Sequence, residues 1–295
     1  MESAVAKNRK IRAEVIFSNN FDLNTYENII ENSICTVIDT LMAVSTITAI
    51  FGSNCKRVVL SREKMEAYEL KKIFKDYLLC GEENGIPPEG FNYGNLPLNF
   101  VKLDLSNIKI ILSTTNGSVS FFKLLSSEFV FGLSLLNLDH CLKVILDLAQ
   151  NYDKNILLLC SGRKGYPTYD DIYTAGLAIK HLSMLIDLEV SDSAKVALEI
   201  ANNNCDSVLD AISNSESGQI VRRLGYLDDL EYCSRINVYK IIPRLRALEL
   251  NNEKDIKFLK EYKDIYDFLL KFNKKYSFNK LLFLEPYNNN CEAKL

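Results

Sequence analysis

The amino-acid sequence predicts an α/β protein built on an open sheet. Short apolar, β-branched runs alternate with longer amphipathic segments, and several runs stop at a carboxylate, hydroxyl, amide or guanidinium group. Ligands of open α/β sheets gather at the carboxyl ends of the strands, so these strand exits hold the candidates for function.

Arg12–Phe17 reads as the first strand and, after a polar loop, Ile34–Ile38 reads as a buried one. It stops at Asp39, and the small and hydroxyl-bearing residues through Phe51 suit a turn and a helix. Ser45 and Thr46 then lie close enough to offer hydroxyls to an anion. The same residues also fit a plain helix cap at Asp39 and local hydrogen bonds at Ser45 and Thr46. Arg57–Leu60 reads as another strand and Arg62–Leu79 as a helix. The Gly-, Pro- and Asn-rich stretch 80–100 is long for a loop without regular structure, which marks Glu82, Asn92 and Asn95 as functional candidates.

The strand Ile108–Leu112 feeds a second polar exit, Ser113–Ser118. Asn116-Gly117 can turn backbone N–H groups toward an anion, and Thr114 and Thr115 carry hydroxyls, although an ordinary Asn-Gly turn reads the same way. Phe129–Leu133 and Asn155–Cys160 add two strands. The latter exits into Ser161–Gly165, where Arg163 and Lys164 suit a phosphate or sulfonate. Asp170 and Asp171 fall in the first turn of the next helix, a place the helix dipole favours for acids whatever the function. A helix over Asp192–Asn202, the polar segment 214–218, the acidic pair Asp228-Asp229 and a strand over Val238–Ile242 complete the pattern.

With 295 residues, 47% of them apolar, the chain can build a large core without metal or disulfide staples. A net charge of −3 gives no electrostatic reason to expect nucleic acid or an anionic membrane as partner. No apolar run reaches the roughly 20 residues of a membrane span, and the first residues lack the apolar core of a signal peptide, so a cytoplasmic protein is expected. The eight cysteines are scattered without a C-x-x-C motif and read as reduced thiols. With only His140 and His181, both read as structural, histidine metal sites and Ser-His-Asp triads are hard to build. Carboxylates without histidine suit a hard cation such as Mg²⁺, and the neighbouring donors suit an anionic substrate: together, metal-assisted phosphoryl chemistry.

Six ordered blocks, VIDTLMAVSTI, GEENGIPPEGFNYGNLP, TTNGS, CSGRKGYPTYDDIYTAGL, SDSAKVA and LGYLDDLEYCSRINVYKIIP, run from about Val15 to Pro243. In this set the chain resembles the 2-phosphosulfolactate phosphatase (ComB) family. The resemblance implies a three-layer α/β/α fold with a mixed sheet. It implies a Mg²⁺-dependent phosphatase that converts 2-phospho-3-sulfolactate, or a related small phosphorylated acid, to the alcohol and phosphate, a step of coenzyme M biosynthesis. Carried over, the family's positions fall on Asp39, Ser45, Thr46, Gly81, Glu82, Gly94, Asn95, Pro97, Thr114 to Gly117, Asp170, Asp171 and Asp229. Asp39, Glu82 and Asp171 are taken as the catalytic acidic shell and, with Asp229, as metal ligands. Ser45, Thr46, Asn95, Thr114, Thr115, Asn116, Gly117 and Arg163 are taken to bind the substrate's anionic groups.

The chain departs from the family pattern where Arg gives way to Met42, Thr to Val44, Ser to Leu96 and His to Ser217. Losing an Arg from an anion pocket removes a permanent charge and a bidentate donor. The alternative is therefore a weakened relative that binds an anionic metabolite or a partner. Asp39, Glu82 and Asp171 around one point beside Thr115 and Asn116 favour the enzyme; a pocket filled by Met42 and Val44 favours the binder. The domain is expected to span 1–243, with a helical extension over 244–295 made of an amphipathic helix at 255–272 and a shorter apolar segment packed on the domain. Homo-oligomerisation is left open by the sequence.

Overall fold

The computed structural model describes residues 9–203, 207–249 and 280–288. Among these, ten strands form one mixed sheet: β1 (Arg12–Ile16), β2 (Ser33–Ile38), β3 (Val58–Ser61), β4 (Leu78–Gly81), β5 (Ile110–Ser113), β6 (Val130–Leu133), β7 (Asn155–Cys160), β8 (Glu189–Val190), β9 (Pro243–Glu249) and β10 (Lys280–Pro286). Ten helices accompany them: α1 (Leu23–Glu31), α2 (Ala43–Gly52), α3 (Lys64–Ile73), α4 (Gly117–Lys123), α5 (Leu138–Asn151), α6 (Tyr169–Leu185), α7 (Asp192–Asn202), α8 (Val208–Ser213), α9 (Glu216–Arg223) and α10 (Leu227–Cys233).

The strand order is β4-β5-β3-β10-β9-β6-β2-β7-β1-β8. One parallel block comprises β6-β2-β7-β1-β8 and another β4-β5-β3. The pair β9 and β10 joins them, antiparallel to each other, with β10 antiparallel to β3 and β9 to β6. Three antiparallel junctions in succession make the two parallel blocks run in opposite directions.

Alternation along the strands builds the three layers. In β2, Ile34 and Ile38 join a cluster with α5, α6 and α7, whereas Cys35 and Val37 join one with Ile30 of α1, Ile47 and Ile50 of α2 and Phe121 of α4. That second cluster continues across Val58, Leu60, Ile110, Leu112, Leu282 and Leu284, so α2 and α4 lie on a face shared by both blocks. On the opposite face of the β3-β5-β10 region, Val59, Ile111 and Phe283 pack with Ala67 and Leu70 of α3.

Three elements differ from the sequence reading. The helix expected over Arg62–Leu79 ends at Ile73, and Leu78–Gly81 forms β4, whose pairing with β5 buries Leu79 and Cys80. So short an apolar run is not separable from a helical one by periodicity. The strand expected over Val238–Ile242 is irregular chain instead, and β9 starts at Pro243, the first-residue position where a missing N–H is tolerated. The helix read over 255–272 lies outside the described residues, while the apolar segment after it supplies β10. Both strands beyond residue 242 thus lie inside the sheet.

No described helix is long and apolar enough to cross a membrane. Cys35, Cys55, Cys80, Cys141, Cys160 and Cys233 are free and buried.

Candidate active site

Asp39 follows the last residue of β2, where the chain leaves the sheet to start α2. Its Oδ1 accepts the N–H of Ala43, the first residue of α2, at 2.8 Å, although the cap position itself is Met42, and Oδ2 is kept outside that bond. Oδ2 sits over Gly117: a Cβ on that glycine would come within 2.6 Å of it and within 2.4 Å of Ala43 Cβ. A side chain there would push the carboxylate aside.

The exit of β7 forms the next wall. Gly162 (φ +63°), Lys164 (φ +51°) and Gly165 (φ +82°) curl the chain back, and Arg163 and Tyr166 exchange backbone hydrogen bonds of 2.8 and 2.9 Å. A Cβ on Gly162 would lie 2.3 Å from the Tyr166 carbonyl oxygen, so the tight loop that presents Arg163 and Lys164 needs glycine here. Asp171, in the first turn of α6, accepts the N–H of Thr40 on Oδ1 (2.8 Å) and of Gly162 on Oδ2 (2.9 Å), tying the exits of β2 and β7 together.

The other parallel block contributes the exits of β4 and β5. Glu82 accepts the Thr115 N–H on Oε1 (2.7 Å), and on Oε2 both the Gly85 N–H (2.7 Å) and the Thr115 hydroxyl (3.1 Å). Thr114 and Ser118 close a small hydrogen-bonded ring at the start of α4. Asn116 Oδ1 accepts the Lys164 N–H at 2.9 Å, and Ser120 donates to Ser161 at 2.8 Å, so the two opposed blocks meet at one place.

That place is a cleft whose polar lining is Asp39, Glu82, Asn95, Thr114, Thr115, Asn116, Arg163, Lys164, Asp170 and Asp171. Burial pushes the Asp39 carboxyl from its usual 3.8 up to about 7, with repulsion from Asp170 and Glu82 adding to it. Burial likewise raises Asp170 to about 6, against hydrogen bonds from Ser215, Thr168 and Ser217. Asp171 is raised well above the usual range by burial, then by Asp170 and Asp39. Three buried acids share the lining with Arg163, itself 3.3 Å from Glu216, and Lys164.

The model of the 2-phosphosulpholactate phosphatase family matches residues 22–247 of the 295-residue chain. The chain belongs to that family. It is 32% identical over 212 residues to a probable 2-phosphosulfolactate phosphatase of Caldanaerobacter subterraneus subsp. tengcongensis, covering 71% of this chain and 86% of the relative. A protein of the same name from Thermotoga maritima is 31% identical, covering 71% of this chain and 87% of the relative. Another from Carboxydothermus hydrogenoformans is 30% identical, covering 72% and 86%.

The residues carried over from the family motifs divide in the structure. Asp39, Glu82, Asn95, Thr114, Thr115, Asn116, Arg163 and Asp171 all line the cleft. Gly117 lies just beneath it, against Asp39. Ser45 and Thr46 are fully buried outside the lining; Ser45 donates to the Thr40 carbonyl at 2.8 Å, so the local-bond reading describes it. Asp229 also stands outside the lining: it accepts the Leu98 N–H at 2.9 Å, and burial raises its carboxyl. Of the four departures from the family pattern, Met42, Leu96 and Ser217 reach the cleft, and Val44 is buried in the core. His181 pairs with Asp139 at 2.6 Å, away from the site.

The family's Mg²⁺ can be tested against these oxygens. Among the described residues, no three His, Cys, Asp or Glu side chains form a metal-holding group. Yet Asp170 Oδ1 and Asn95 Oδ1 are buried in the cleft wall with no hydrogen-bond partner. Glu82 and Asp171, by contrast, spend both oxygens on hydrogen bonds, chiefly from backbone N–H groups. An all-oxygen set of one or two carboxylates and an amide fits Mg²⁺, which keeps several waters and takes substrate oxygens rather than a full protein cage. The sequence reading favours Asp171 over its neighbour Asp170, although the acidic pair itself is visible there.

Proposed function

We propose that the protein is a Mg²⁺-dependent phosphatase acting on 2-phosphosulfolactate or a related small phosphorylated acid. The observation that carries this reading is the meeting of Asp39 and Asp170, buried and raised toward neutrality, with Arg163 and Lys164 in one cleft of a family member. The weakened-binder alternative draws no support from Val44, which stays out of the cleft.

Asp170 Oδ1 and Asn95 Oδ1 would hold the cation, and Asp39, which already feels the charge of Asp170, shares the lining with them. When bound, the ion would polarise a phosphoryl oxygen and offset the developing negative charge. Arg163 and Lys164 draw in the phosphoryl and carboxylate groups by charge. Asp39, with a pKa of about 7, accepts the proton of the attacking water on Oδ2, since a base poised near the working pH is most effective. Asp171 and Glu82, whose oxygens accept N–H groups of Thr40, Gly162, Thr115 and Gly85, hold the strand exits in register. On the sulfonated substrate the reaction is the step of coenzyme M biosynthesis that the family resemblance implies. A cytoplasmic enzyme accords with six buried, unpaired thiols among the described residues.

The test is phosphate release from 2-phosphosulfolactate and a panel of phosphorylated acids, with and without Mg²⁺, for the wild type and Asp39→Ala. Release that needs both the ion and Asp39 is expected. A folded protein that releases no phosphate from any of them would refute the reading.

A further inference from the structure

Part of the cleft lining is apolar. Met42 from the exit of β2, Leu96 from the 82–96 loop, Ile220 and Val221 from α9, and Leu224 and Tyr226 after it line the same cleft as the acids and cations. These residues come from three distant stretches of the chain: Met42, Leu96, Val221 and Tyr226 belong to one apolar cluster, and a Cβ on Gly85 would lie 2.7 Å from Leu224 Cδ1 and 3.8 Å from Ile220 Cγ2. Met42 and Val221 are buried, whereas Leu96, Ile220, Leu224 and Tyr226 keep part of their surface open to the cleft.

Charge counting sharpens the point. A phosphosulfolactate brings a phosphate, a carboxylate and a sulfonate, and the sulfonate stays ionised at any physiological pH. The cations in the lining are Arg163 and Lys164, and Arg163 is shared with Glu216. The phosphate and the carboxylate use both. A sulfonate would find no further cation in the lining, and against Met42, Leu96 and Leu224 it would shed its hydration with no counter-charge, which is unfavourable, whereas an alkyl group gains there.

Accepting the phosphatase reading, we infer that the preferred substrate is a 2-phosphooxy carboxylate with an apolar side chain in place of the sulfonate. Met42, Leu96 and Leu224 are the residues that set this preference, contacting the substituent rather than the reacting phosphorus.

Three substrates alike except for the third substituent, sulfomethyl, methyl or isobutyl, are compared by phosphate release in the presence of Mg²⁺. The expected order of kcat/KM is isobutyl, then methyl, then sulfomethyl, with at least about a tenfold gap between first and last, as apolar pockets discriminate on that scale. Met42→Arg is expected to narrow or reverse the gap. Leu224→Arg, at a partly exposed position, makes the same test should the first variant not fold. Sulfomethyl turned over as well as isobutyl, or a gap unchanged in a folded arginine variant, overturns the inference while leaving a phosphatase. Release from none of the three overturns the phosphatase reading itself, and the inference with it.

Discussion

Replacing Asp39 by Asn should stabilise the metal-free protein at alkaline pH while removing its activity. The Asp39 carboxyl rises from 3.8 to about 7 on folding, which at pH 8 corresponds to a cost on the order of 4 kcal/mol for keeping it ionised in the folded state. Because the folded protein holds this proton more tightly than the unfolded chain, wild-type stability is full below about pH 4 and falls as the pH rises through 7. An asparagine side chain retains the acceptor for the Ala43 N–H and has no charge to bury. Urea unfolding in EDTA, followed by circular dichroism from pH 4 to pH 8, should therefore show curves that coincide near pH 4 and diverge in favour of the Asp39→Asn variant by up to about 4 kcal/mol at pH 8. Saturating Mg²⁺ should narrow the gap, since a cation relieves the same repulsion. An Asp39→Asn variant less stable than wild type at pH 8, or a gap that does not change with pH, would refute the reasoning.

Asp171→Ala strands the buried N–H groups of Thr40 and Gly162, and at pH 5 should lower stability by about 2–4 kcal/mol in thermal or urea unfolding, together with loss of activity. Glu82→Gln turns one acceptor oxygen into a donor facing an N–H of Gly85 or Thr115. Steady-state kinetics should show KM raised roughly tenfold with a smaller change in kcat, as expected for a residue that positions the loop. Gly117→Ala removes no functional group, yet its Cβ collides with Ala43 and with Asp39 Oδ2. It should cost about 1–3 kcal/mol and lower kcat at least about tenfold; unchanged kcat would mean that Asp39 has room to move.

The parts of the fold legible in the sequence are those with strong local patterns. Asn155–Cys160 is a long apolar run, and the structure begins and ends the strand at those residues. Helix α7 likewise matches Asp192–Asn202, opened by a Ser191 hydroxyl that caps the Ala194 N–H. Where the pattern is four residues long, as at Leu78–Gly81, strand and helix look alike until the partner strand is known. Pro243 reads as a stop because the proline lacks an N–H, but its place at the head of β9, opposite Pro286, makes that absence harmless. At the site, the polar strand exits carry clear chemical signals. Which carboxylate oxygen is left without a donor is a different matter: Asp170 and Asp171 are neighbours in one helical turn, and only the positions of Thr40 and Gly162 decide that Asp171 is occupied and Asp170 Oδ1 is not. Nor does spacing reveal that Ser45 turns back to Thr40 instead of facing the cleft.

The antiparallel pair β9 and β10 has a consequence for how the molecule is put together. Strands β3 and β6 never touch, because the pair occupies the gap between them. During synthesis, every residue of the cleft has left the ribosome before β10 is made, yet the sheet that carries the exits of β4 and β5 is not continuous with the one that carries Asp39 and Asp171 until that strand is inserted. This junction is a long-range one, with Val59 pairing to Phe283 across most of the chain, and contacts of that separation form slowly. A segment that contributes no group to the cleft thus belongs to its frame: β10 helps join the two blocks within the sheet, while the Asn116–Lys164 and Ser120–Ser161 hydrogen bonds join them at the site.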